Sequence, residues 1–129
     1  MTHNSKLRNK AFLSQCRKSA AILSKKGRPS ASAIINHALA QPAPSYFVDP
    51  DRAVKIMLGQ LAAPADGGES ERLWADFRRD FARARKRHPH TSPRDVALLL
   101  CVGREGNPRF YLSRRRAVEI ASHVLYNFD

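Results

Sequence analysis

Acidic residues are scarce in this chain of 129 residues: 11 Asp and Glu stand against 23 Lys and Arg, a net charge of +12. The first thirty residues hold no acid at all, although Lys6, Arg8, Lys10, Arg17, Lys18, Lys25, Lys26 and Arg28 fall there. Long apolar runs are missing too. Nothing approaches the roughly 20 residues that cross a bilayer, and the N-terminus lacks the apolar core of a secretory signal. A cytoplasmic protein with no membrane partner is therefore expected. Cysteine is limited to Cys16 and Cys101. Both lie in apolar segments that read as helical, where a thiol behaves as a small hydrophobe, so two reduced, buried thiols are expected.

Catalytic signatures are equally thin. The sequence has no Gly-rich phosphate loop, no nucleophile elbow and no paired acidic motif. His88-Pro89-His90 is the nearest approach to a metal pair, but Cys or acidic ligands at zinc-site spacing are not beside it. Asp76 and Asp80 read as surface ion-pair partners of Arg72, Arg79 and Arg83, one helical turn away. His37 and His123 read as structural histidines on helices. The chain is expected to be no enzyme, with no cofactor and no metal.

What is present fits a globular fold, since hydrophobic residues make up 43% and charged residues 26%. One compact domain over residues 1–129 is expected. Within it the sequence resembles itself. Residues 33–61 align without gaps to residues 97–125, and seven of the twenty-nine pairs are identical: Ala33 with Ala97, Pro44 with Pro108, Arg52 with Arg116, Ala53 with Ala117, Val54 with Val118, Ile56 with Ile120 and Leu61 with Leu125. Upstream, Phe12, Cys16 and Ser19 fall on Phe77, Phe81 and Ala84 once a residue is inserted. The reading is an internal duplication, with unit one at residues 5–61, a Pro- and Gly-containing linker at 62–69 and unit two at 70–125.

Each copy reads as long helix, short helix, extended aromatic corner, helix, a mainly all-α fold. In the second copy Leu73, Trp74, Phe77, Phe81 and Ala84 share one helical face, and Arg72, Arg79, Arg83 and Arg87 the other. Ser92-Pro93 starts the short helix with a cap and an N1 proline. Pro108 then leads into the corner Phe110-Tyr111-Leu112, and Ser113 caps a last helix that buries Ala117, Ile120, Ala121, Val124 and Phe128. In the first copy Asp49 caps and Ala53, Ile56, Met57 and Leu61 are buried. The two copies are expected to pack about a pseudo-twofold axis, and the aromatic corners leave room for a minimal two-strand bridge.

A strongly positive surface attracts phosphates and speeds encounter with them. The expected function is non-enzymatic nucleic-acid binding, DNA or RNA, through Arg and Lys clusters on a helical scaffold. The clusters are Lys25, Lys26 and Arg28, then Arg78, Arg79, Arg83, Arg85, Lys86 and Arg87, and then Arg114, Arg115 and Arg116 with Arg109 beside them. The first turn of the last helix is the informative place, because copy one carries Pro50-Asp51-Arg52 where copy two carries three arginines against the helix dipole. The alternative is a helical adaptor for a protein partner, either another copy of itself or an acidic protein, or an accessory subunit of a larger assembly.

Overall fold

The computed structural model describes residues 3–125, and every regular element in that range is helical. In chain order the helices are α1 His3–Leu23, α2 Ala31–Leu39, α3 Pro50–Met57, α4 Glu69–Arg87, α5 Pro93–Cys101 and α6 Arg114–Leu125, with a 3₁₀ turn at Ser24–Lys26 after α1. Helix starts are set locally. Ser30, Asp49, Ser92 and Ser113 each accept a hydrogen bond from the backbone N–H three residues on, at 2.9–3.2 Å. Pro50 and Pro93 supply the fixed φ of a first helical position.

The chain forms two compact units that cut across the tandem order of the sequence. One comprises Met1–Pro42 and Leu112–Asp129, the other Ala43–Tyr111. In the first unit α1, α2 and α6 pack on one another. In the second, α3 and α4 both pack on α5. Each long–short helix pair is thus completed by the third helix from the other half of the sequence.

The discontinuous unit is built on Phe12, Cys16, Ile34 and Ala38, with Ala117 and Ala121 contributed by α6, all buried. Among the described residues, polar matter enters this core at Ser19. Ser19 is fully buried, accepts from Gln15 Nε2 at 3.2 Å and shares a 2.7 Å hydrogen bond with His37 Nδ1. The continuous unit has an aromatic core. Phe77 packs edge-on to Tyr46 at 4.9 Å and tilted against Trp74 at 5.4 Å, above Ile56, Val96 and Leu100.

Several expectations need correction. No strand or two-strand bridge forms among the described residues; a single backbone hydrogen bond, Ala43 N to Pro108 O at 2.9 Å, links the two proline segments. The aromatic corners are not extended, because Phe47 and Tyr111 turn to φ 55° and 52°. These two residues stand sixty-four positions apart, the shift read from the sequence. The short helices correspond at a shift of sixty-two instead: Ile34, Ile35 and Ala38 are the buried residues of α2, and Val96, Ala97 and Leu100 those of α5. The connection after α5 is two residues longer than the one after α2, which the gapless alignment missed.

Leu61 lies beyond α3 and is 44% exposed, so it is not part of the core. Met57 and Ile120 are half-buried. The expected burial of Val124 and Phe128, and the structural role of His123, fall on side chains outside the described residues. Cys16 is buried, Cys101 is half-buried, and both thiols are free.

Gly103 closes the end of α5 in a way no other residue can. Its φ is +80°, and a Cβ placed there would lie 2.0 Å from the Pro44 carbonyl oxygen. That contact is with backbone and has no side chain to swing aside. This glycine is the point where two connections touch.

Candidate nucleic-acid interface

The positive charge is unevenly divided. The discontinuous unit carries eleven Lys and Arg against two acids, a net of nine positive charges. The continuous unit carries twelve against nine, a net of three. Because the basic unit joins the two ends of the chain, its excess does not show in a sliding reading of the sequence.

On α1 the buried residues Phe12, Cys16, Ser19 and Ala20 fix the outward face. Lys6, Lys10 and Arg17 then fall on one exposed line about 16 Å long at 1.5 Å rise per residue, with Lys18 beside it. None of these four has a carboxylate partner among the described residues. Their charge is plain in the sequence but their grouping is not; the signal for it is their spacing opposite Phe12, Cys16 and Ser19.

Arg8 lies on the flank of this face, half-buried. Burial, and then repulsion from Arg116, lowers its pKa from the ordinary guanidinium value. Like charges from α1 and α6 therefore meet here. Beyond the helix, Lys25, Lys26 and Arg28 are all exposed, and Arg28 lines a cleft of about 290 Å³ with Ala20, Ser24, Gly27, Pro29 and Ile34.

The three arginines opening α6 are not equivalent. Arg114 is held inside its own unit, donating from Nη2 to Ser32 Oγ at 2.5 Å and from Nε to Asn36 Oδ1 at 3.1 Å. It walls a cleft of about 230 Å³ whose floor is Ile35, Val118 and Ala121. Arg116 pairs with Glu119 at 2.9 Å. Arg115 is 93% exposed and only 3.7 Å from the same carboxylate. Glu119, the single described acid of this unit, thus neutralises part of the turn from one turn away. Arg109 is exposed and belongs to the continuous unit.

The cluster on α4 is largely engaged. Arg79 reaches Asp76 at 3.2 Å and Asp80 at 3.7 Å, Arg87 pairs with Glu105, and Arg85 stacks over Phe81 at 5.7 Å. Arg78, Arg83 and Lys86 are exposed without an ion pair among the described residues. Glu105 also bonds His88 Nε2 at 2.8 Å, and these hydrogen bonds from His88 and Arg87 hold its carboxyl below the usual range.

Asp80 has the expected arginine, Arg79, at 3.7 Å, but it is buried rather than at the surface. It is 2% exposed and accepts hydrogen bonds from the Tyr46 hydroxyl and from Asn107 N at 3.0 Å. Asp76 accepts from the Tyr111 hydroxyl at 2.7 Å. The tyrosine rings stack, 6.0 Å apart and 11° from parallel. Burial first, then these carboxylate bonds, push both phenols well above their ordinary pKa. The helical pattern carried the clue, since Asp80 sits on the face of Phe77, Phe81 and Ala84.

Among the described residues no group of three His, Cys, Asp or Glu is placed to hold a metal ion. The Ser19–His37 pair has its hydroxyl fully buried, and no hydrogen bond from His37 to a carboxylate is seen among the described residues. No described helix is long and apolar enough to cross a membrane. Comparison of the chain with family models, with curated proteins and with solved structures finds no match.

Proposed function

We propose that the protein binds nucleic acid through its discontinuous unit, without catalysis, holding phosphates on the outward line of α1 and the neighbouring exposed cations. The observation that carries this reading is the concentration of nine net charges in a unit with one described acid. An uncompensated cationic face of this kind gains most from a polyanion, because each phosphate contact releases a condensed counterion. The helices supply rigidity, so the cations are presented without ordering a loop.

The test is binding of the full chain to labelled duplex DNA and duplex RNA across a salt series. Phosphate binding makes log affinity fall linearly with log salt, by about 0.9 per neutralised phosphate on B-form DNA. Several contacts give a steep line. Failure to bind either nucleic acid at low salt rejects the reading.

A protein partner has one observation in its favour. Leu98 and Val102, one turn apart at the end of α5, are 36% and 57% exposed. They lie in the less charged unit. Binding to an acidic protein with no response to nucleic acid would select this second reading.

A further inference from the structure

The exposed turn joining α1 to α2 carries cations on either side of a glycine. The 3₁₀ turn ends at Lys26, and the chain runs on through Gly27 and Arg28 to Pro29 before Ser30 caps α2. Gly27 has φ 127° and ψ −174°, and nothing lies within 4 Å of where its Cβ would be. The middle of the turn is therefore bare backbone, flanked by two exposed cations.

The turn is also fixed on both sides. Ser24 Oγ donates to Ala20 O at 2.6 Å, and Gly27 N donates to Ser24 O at 3.2 Å. Beyond it, Ser30 Oγ accepts from Ala33 N at 3.1 Å. Pro29, with its φ locked and no N–H to satisfy, keeps the exit stiff.

We infer that this Lys26-Gly27-Arg28 elbow enters the minor groove of A·T-rich duplex DNA. The inference rests on the nucleic-acid reading above and narrows it to one groove of one polymer. A helix about 10 Å across suits the major groove, whereas the minor groove, about 6 Å wide, admits only a thin segment. A backbone with no side chain at its apex is such a segment. Narrow A·T minor grooves carry enhanced negative potential that draws in Arg and Lys. In G·C pairs the guanine amino group stands on the groove floor, where it opposes close approach. The minor groove of A-form RNA is wide and shallow and offers no such slot.

The experiment measures affinity of the full chain, at one moderate salt concentration, for three hairpins of equal length: DNA with a central A·T tract, DNA of G·C pairs only, and RNA. The expected result is binding to the A·T DNA about tenfold tighter than to either other hairpin, with displacement by the minor-groove ligand netropsin. The double variant Lys26→Ala/Arg28→Ala, with its helical circular dichroism intact, is expected to bind the three hairpins alike and more weakly. Equal affinity of the wild-type chain for A·T and G·C DNA overturns the minor-groove inference and leaves the nucleic-acid reading standing. An A·T preference that survives in the double variant overturns the assignment to this elbow. No binding to any hairpin overturns both.

Discussion

The hydroxyl of Tyr46 donates to the carboxylate of Asp80, which is buried to 2% exposure inside an arginine-rich helix. The bond joins the first aromatic corner to α4, and Asn107 N completes the carboxylate's partners from the loop after α5. Removing the phenol leaves a buried acceptor short of a donor. Tyr46→Phe is expected to destabilise the protein by about 1–3 kcal/mol, read as a fall in the urea midpoint with unchanged slope. An unchanged midpoint would contradict the role given to this bond.

Tyr46 and Tyr111 together set an alkaline limit. Both have folded pKa values raised above the unfolded value of about 10. Their contribution to stability is full below that pH and is lost as pH rises toward the folded values. Tyrosinate absorbance from these two residues is expected to appear together with the loss of helical circular dichroism. Ionisation of all the tyrosines in a protein that stays folded would be the contrary result.

Gly103→Ala is expected to cost about 2 kcal/mol or more, since it combines a positive φ with a Cβ against the Pro44 carbonyl oxygen. Thermal or urea unfolding reads the effect. Gly59→Ala, with φ +76° but open space around it, is the control and should cost less.

The thiols should be slow. Burial pushes Cys16 up to about 11 and Cys101 up to about 12, with Asp49 adding to the second. Thiolate is the reactive form, so labelling of the native protein near neutral pH is expected to be much slower than in denaturant. Equal rates in the two states would remove both assignments.

At the start of α6 the predictions separate the three arginines. Arg114→Ala removes two hydrogen bonds to α2 and is expected to lower stability by about 1 kcal/mol. Arg115→Ala, at a side chain 93% exposed, should leave stability within about 0.5 kcal/mol of the wild type. Glu119→Gln frees Arg115 and Arg116 from their shared carboxylate, and is expected to tighten nucleic-acid binding and steepen its salt dependence. Weaker binding in E119Q would contradict this.

Local chemistry was legible in the sequence where it acts locally. The caps Asp49, Ser92 and Ser113, the N1 prolines of α3 and α5 and the Trp74 and Phe77 face of α4 all follow from residues within one or two turns. What escaped depends on distant chain. Asp80 read as a surface residue paired only with nearby arginines because its hydrogen-bond donors, Tyr46 and Asn107, lie 34 and 27 positions away. The left-handed backbone of Phe47 and Tyr111 has no glycine to mark it. The charge split was hidden because one compact unit is made of both ends of the chain, so Lys10 and Arg116 never share a sequence window.

The most direct test of the account compares two triple variants in the same salt series on duplex DNA. Lys6→Ala/Lys10→Ala/Arg17→Ala strips the outward line of α1, and Arg78→Ala/Arg83→Ala/Lys86→Ala strips the exposed cations of α4. If phosphates are held by the discontinuous unit, the first set lowers the salt slope by about three, roughly one for each cation removed, and the second leaves it close to the wild type. Loss of slope in the α4 set with no change in the α1 set would contradict the account.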